Sequence, residues 1–263
     1  MTKTSERVMN ESVVQQQLAD AKQQGRNKHW SQLASYYLKK WDHPGPESAL
    51  YKELESKLLI DATSAGTGKK ILDLCCGTGR NTVALAQTGA EMFGIDGAQG
   101  MLEQARQHAI EQGVASAEFR QGDSRSLPFP DNMFDGVTGT RFMYMMRPDE
   151  KRQIIREVHR VLKPGGRAAI QFNCGLWGIK QEFFKMCNGS GFRIRSRYFW
   201  PGQAQSLFEG FDIEAIVGVK IPRLALASRL MGRRTALAIN RTFRWPILRH
   251  LSAYAVVVAS CRK

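Results

Sequence analysis

No apolar run in this 263-residue chain is long enough to span a bilayer. The polar stretch from Met1 to Gln24 carries no apolar core of the signal-peptide kind. Together these lead to the expectation of a cytoplasmic protein. Cysteine is sparse: five in all, an odd number, with no CxxC pair and no His/Cys cluster at ligand spacing. That argues against a disulfide framework and a zinc site, and no metal is expected. There are no internal repeats. Acidic residues are scarce at one end only: residues 180–263 hold 15 Lys/Arg against 4 Asp/Glu, so +11 of the net +14 falls there. Such a surplus favours anionic company or tolerates self-repulsion.

What is present is a strand-and-turn run at Lys69 to Asn81. The apolar stretch from Ile71 to Leu74 reads as a buried strand, and Cys75-Cys76-Gly77-Thr78-Gly79 as the turn that ends it. Thr82 to Ala86 then starts a helix. This order sets backbone N–H groups and a positive helix end beside a ligand. Gly77 and Gly79 fit because a side chain would hold that ligand away.

Around this run the chain alternates. Residues 1–28 read as a Gln-rich leader. An amphipathic helix follows from His29 to Trp41, and a second from about Glu47 to Ile60. Further strands are expected at 90–95, 117–120, 134–140 and 167–172, with helices at 98–112 and 149–162. Beyond them come helices at 178–188 and 203–209 and strands at 212–219 and 253–260. Strands alternating with helices predict an α/β protein with a doubly wound, mostly parallel sheet. Residues 1–68 are expected to be a leader and helical cap, and 69–263 the ligand-binding domain.

A glycine turn after a strand also serves nicotinamide enzymes, whose fingerprint wants GxGxxG. Here the run is Gly77-Thr78-Gly79-Arg80-Asn81-Thr82, without the third glycine. The downstream motifs separate the readings. Leu72 to Gly79, Gly94-Ile95-Asp96, Gly122-Asp123-Ser124, Phe134-Asp135 and Val161 to Gly166 (VLKPGG) occur in order. Over residues 69–173 the chain thereby resembles class I S-adenosylmethionine-dependent methyltransferases, in particular the quinone-biosynthesis and small-molecule subgroup. That resemblance implies a seven-stranded Rossmann-like sheet with a helical insertion between its last two strands, and S-adenosyl-L-methionine as cofactor. It implies a cofactor-binding set of Asp73, Gly77, Thr78, Gly79, Asp96, Gly97, Met101, Asp123, Ser124 and Thr140. Asp96 would take the ribose hydroxyls, as a carboxylate offers two acceptor oxygens to two adjacent O–H donors. Asp123 and Ser124 would meet the adenine, and Thr140 the region of the reacting methyl.

Methyl transfer from a sulfonium is an in-line displacement in which the enzyme mainly aligns the partners. No paired carboxylates or nucleophile–base motif is evident. Tyr144 is the candidate for contact with the acceptor. Tyr36 and Tyr37 are candidates for capping the cofactor, against ordinary packing of their helix. His159 reads as a surface or core residue, and Cys75 and Cys76 as parts of a buried turn.

The stretch from Lys220 to Leu251 holds eight Lys/Arg and no acidic residue, interleaved with Leu, Ile, Met, Phe and Trp. It is expected to form a basic helical lid. Beyond a solvated lid, its composition fits peripheral contact with an anionic membrane and a small-molecule or lipid-like acceptor. Phosphate contacts to nucleic acid rank lower. The alternatives to a small-molecule enzyme are an RNA or protein methyltransferase using this basic region, and a non-catalytic cofactor-binding module.

Overall fold

The computed structural model describes residues 23–36, 46–173, 201–219 and 254–263. Residues 23–36 are helical (α1), followed by α2 (Pro46–Thr63), β1 (Lys70–Leu74), α3 (Arg80–Ala86), β2 (Glu91–Asp96) and α4 (Gln99–Glu111). Then come β3 (Ala117–Gln121), β4 (Phe134–Gly139), a 3-10 turn (Met143–Met145), α5 (Pro148–Val161) and β5 (Leu162–Asn173). A second 3-10 turn (Pro201–Gln203), α6 (Ala204–Leu207), β6 (Phe211–Val219) and β7 (Tyr254–Cys261) complete the described elements.

The strands form one seven-stranded sheet in the order β3-β2-β1-β4-β5-β7-β6. β7 runs antiparallel to both β5 and β6, while β3, β2, β1, β4 and β5 pair in parallel. The expected α/β, mostly parallel seven-stranded sheet is what the chain forms. Strand order reverses between β1 and β4, so a crevice opens at their carboxyl ends.

Burial explains why these segments are strands. Ile71, Leu72 and Leu74 of β1, and Ala168, Ala169 and Ile170 of β5, are wholly buried, as befits strands covered on both faces. On one face α2 brings Leu59 and Ala62 onto Ile71, Met92, Ala169 and Val256. On the other, α5 presents Ile154, Ile155, Val158 and Val161 to Phe134, Leu162, Phe208 and Phe211. Helical spacing puts those four on one stripe. Pro148 opens α5, and the Arg147 N–H donates to the Glu150 carboxylate at 2.7 Å, satisfying a donor at the helix start.

Several boundaries differ from the sequence expectation, three of them in segments near the site or the sheet. α1 begins by residue 23, because Gln23, Arg26 and Asn27 make polar contacts with one another and Arg26 with Glu150 of α5. Such contacts leave no apolar periodicity to read. The Lys163-Pro164-Gly165-Gly166 run is not a turn between helix and strand but an irregularity inside β5. Phe134 pairs with Leu162 and Gly136 with Arg167, so the run bulges out, with Gly165 at φ 72°. Lys163 Nζ anchors it on Asp135 at 2.9 Å. The helix expected at 203–209 is shortened to α6. The expectations for 37–41, 178–188 and the basic stretch 220–251 lie outside the described residues. Among the described residues no helix is long and apolar enough to cross a membrane.

Candidate active site

The loop leaving β1 is held from both sides. The Cys76 N–H donates to the Ile95 carbonyl at 3.0 Å, and the Gly77 N–H to Asp96 Oδ2 at 3.0 Å. Asp96 Oδ1 accepts the Ala98 N–H at 2.9 Å. The carboxylate at the end of β2 therefore fastens the glycine loop to the start of α4. Burial raises its pKa against these backbone donors.

A cavity opens above this loop. Thr78, Asp96, Gly97, Met101, Asp123, Ser124, Thr140 and Tyr144 all line it, as do Cys75, Cys76 and Gly77. Asp73 and Gly79, the other two residues of the expected set, do not. Asp73 is buried below the loop, where its carboxylate accepts from Thr82 Oγ1 at 2.7 Å and Thr138 Oγ1 at 2.9 Å. Burial pushes its pKa up to about 6 in spite of those two hydroxyls. The two glycines serve different ends. At Gly77 (φ 57°) an added Cβ would meet nothing within 4 Å, so the position opens into free space. At Gly79 (φ 75°) a Cβ would lie 2.9 Å from Ala105 Cβ and 3.2 Å from Phe119 Cε1. At Gly79 the absence of a side chain lets α4 and β3 pack against the loop.

The roof comes from α1. Gln23, Arg26, Asn27 and Trp30 line the cavity. The helix seats on the start of α4, where Ser31 Oγ accepts the Gly100 N–H at 3.2 Å. A Cβ at Gly97 would come within 2.8 Å of the Asn27 amide. Tyr36 is 59% exposed and does not line the cavity. Tyr37 lies outside the described residues. The polar run Gln23 to Asn27, read as leader, is thus one part of the site that sequence reasoning missed.

Behind the opposite wall lies a buried polar chain. Arg80 pairs with Glu55 of α2, and Gln171 Nε2 donates to the other Glu55 oxygen at 2.8 Å. The Gln171 amide oxygen in turn accepts the backbone N–H of Arg141 at 3.0 Å. Arg141 sits at φ 59° just past β4 and lines the cavity with Arg80. Burial opposes ionisation of Glu55, but the nearby guanidinium groups of Arg80 and Arg141 hold its carboxyl below the usual range. Asn81 Nδ2 donates to Thr140 Oγ1 at 2.9 Å, fixing that hydroxyl at the end of β4. Phe142, Met145 and Met146 continue the lining beside Tyr144.

The remaining candidates are structural. Burial, reinforced by Asp96, raises both the Cys75 and Cys76 thiols well above their usual pKa, which leaves them without thiolate character. His159 stands edge-on to Phe211 at 5.2 Å, with a ring nitrogen 3.3 Å from the Arg262 carbonyl. Among the described residues no group of three or more His, Cys, Asp or Glu could hold a metal ion.

The donor set, the open turn at Gly77 and the position at the sheet's reversal point fit a nucleoside-bearing ligand. Comparison with known proteins agrees. Residues 71–166 match the family model described as a methyltransferase domain. An uncharacterized methyltransferase of Synechocystis sp. is 40% identical over 114 residues, 43% of this chain and 51% of that protein. A demethylmenaquinone methyltransferase of Lactiplantibacillus plantarum is 46% identical over 101 residues, 37% of this chain and 42% of its own length. The chain thus spans about half the length of these curated relatives, or less. The PH0226 protein of Pyrococcus horikoshii superposes with a TM-score of 0.62 at 22% identity, covering 87% of this chain and 99% of its own. The [4+2]-cyclase SpnF superposes at 0.56 and 23% identity, covering 80% and 81%. These two establish a shared fold. The match to the methyltransferase domain covers residues 71–166, the segment that also carries the motifs read from the sequence.

Proposed function

We propose that the protein transfers a methyl group from S-adenosylmethionine to a small-molecule or lipid-like acceptor. The observation that carries this reading is the gathering of Asp96, Asp123, Gly77, Thr140 and Tyr144 around one cavity at the carboxyl ends of the strands. The residues suit the cofactor. Asp96 accepts the backbone N–H groups of Gly77 and Ala98 on its two oxygens and lines the cavity as the anionic acceptor for the ribose hydroxyls. Asp123 offers an anionic acceptor, and Ser124 a hydroxyl, to the purine. Gly97 and Met101 give the purine a small floor with an apolar side. Gly77 and Thr78 bring main chain to the methionine portion. Asp73 and Gly79 belong to the support of this loop and not to its contact surface.

When bound, the cofactor supplies an electrophilic methyl on a sulfonium. The chain's contribution is alignment, worth most when the reacting atoms are held at near-attack distance. Thr140, steadied by Asn81, borders the region where the methyl would sit. Tyr144, with Phe142, Met145, Met146 and Trp30, supplies a largely apolar wall that suits a ring-bearing or lipid-like acceptor. The relatives named for demethylmenaquinone, matched over 103 and 101 residues, support a quinone-like acceptor.

Calorimetry with S-adenosylmethionine and S-adenosylhomocysteine tests the cofactor half of the proposal, and absence of binding by both would overturn it. Comparing metabolites of a deletion strain with its parent, searching for a missing methyl increment, tests the acceptor half. A cofactor-binding protein that methylates nothing in any extract would instead be a non-catalytic module.

A further inference from the structure

Asp123 is not a free carboxylate. Arg125, two residues on, donates from its backbone N–H to Oδ1 at 2.9 Å and from Nε to Oδ1 and Oδ2 at 3.0 Å each. Its Nη2 adds a bond to Oδ2 at 2.6 Å. Asp123 lines the cavity and Arg125 does not. The guanidinium is itself pinned from behind. Its Nη1 donates to Glu150 Oε1 at 3.1 Å, and Gln153 of α5 caps the Arg125 carbonyl at 3.0 Å. Glu150 is only 5% exposed, and the roof residue Arg26 stands 3.7 Å from the same oxygen.

We propose that Arg125 is a positioning residue that locks the Asp123 carboxylate in one orientation, so that the site accepts an exocyclic amino group on the purine and rejects an oxo group. The inference rests on the cofactor reading above and adds to it the residue that enforces purine selectivity. A carboxylate has about four lone-pair sites. The planar guanidinium fork and the backbone N–H engage those facing Arg125, and what remains is an acceptor direction into the cavity. An amino group donates to that acceptor, whereas a 6-oxo group brings a second acceptor against it. Free of Arg125, the carboxylate could rotate to meet the ring N–H of an oxopurine, and the penalty would fade. Lysine in place of Arg125 would keep the charge and lose the fork.

The test is calorimetric affinity for S-adenosylhomocysteine and for its 6-oxo analogue, S-inosylhomocysteine, in the full chain. The wild type is expected to prefer the amino compound by at least about tenfold, the worth of one hydrogen bond to a charged group. In Arg125→Ala that ratio falls towards unity through a gain in affinity for the 6-oxo compound, and Arg125→Lys restores little of it. Glu150→Gln, which keeps Arg125 but loosens its anchor, gives an intermediate ratio and serves if Arg125→Ala does not fold. An equal loss for both ligands would make Arg125 a structural residue and overturn the proposal, as would an unchanged ratio. A wild type that binds the amino compound without preference sinks this inference alone. A wild type that binds neither removes the cofactor reading as well.

Discussion

The Gly77 N–H donates to Asp96 Oδ2 across 19 residues of sequence, joining the loop after the first strand to the end of the second. One side chain thus both builds the cavity floor and faces into it. Asp96→Ala is expected to weaken S-adenosylhomocysteine binding by about a hundredfold or more, the loss of two charge-assisted hydrogen bonds at roughly 1.5 kcal/mol each. Asp96→Asn, with one acceptor oxygen left, should fall between. Calorimetric titration of the three proteins reads the order, and unchanged affinity in Asp96→Ala would remove the residue from the site.

Gly77 and Gly79 should part company on substitution. Gly77→Ala carries the left-handed backbone cost of about 1–2 kcal/mol and little else, since its Cβ points into open space. Its main effect is expected on cofactor affinity. Gly79→Ala adds overpacking against Ala105 and Phe119, for a total of about 2–5 kcal/mol. Urea denaturation without ligand separates them, and equal midpoints would contradict the assignment.

Much of this was legible beforehand for a physical reason. Strand–helix alternation specifies a parallel sheet, and a parallel sheet places strand-end residues such as Asp96, Asp123 and Thr140 at one rim. The residues that escaped notice act through partners in other elements. Glu55 and Arg80 are 25 residues apart, as are Arg125 and Glu150, and charges so separated read as ordinary surface. Asp73 enters the expected cofactor-binding set through the family resemblance, and it does not line the cavity. Its side chain instead turns to Thr138, which the β1–β4 register sets directly opposite it. Glu150 was hidden by its place in the first turn of α5, where an acid is normally a cap.

The buried pair of Arg80 and Glu55 makes a prediction about stability. Glu55→Ala leaves the Arg80 cation unpaired in the interior and should cost about 3–5 kcal/mol. It also removes the partner of Gln171, whose amide oxygen receives the Arg141 N–H. The double variant Glu55→Leu/Arg80→Met removes both charges together and is expected to recover most of that loss. A double-mutant cycle by urea unfolding measures the coupling, and simple additivity of the two single variants would disprove the pairing.

Asp73 gives a pH dependence of unusual sign. Its carboxyl titrates at about 6 in the folded protein against 3.8 for a solvated aspartate, because burial disfavours the charge more than Thr82 and Thr138 favour it. Between those values the folded state holds a proton that the unfolded state has lost. By linkage, this residue's contribution to stability therefore declines as pH rises from about 4 to about 6, and is constant above. Across that interval the decline amounts to about 3 kcal/mol. Other carboxylates slope the opposite way: Asp135, whose desolvation is outweighed by Lys70 and Lys163, and Glu157, paired with Arg160, both have lowered pKa values. The contribution of Asp73 is therefore read as a difference. Asp73→Asn keeps an acceptor for one hydroxyl and a donor for the other, and removes the titration. Relative to the wild type, it should gain stability as pH rises from 4 to 6 and hold that gain to pH 8. Urea unfolding of both proteins at half-unit intervals measures the curve, and parallel profiles would show that the Asp73 carboxyl is not perturbed.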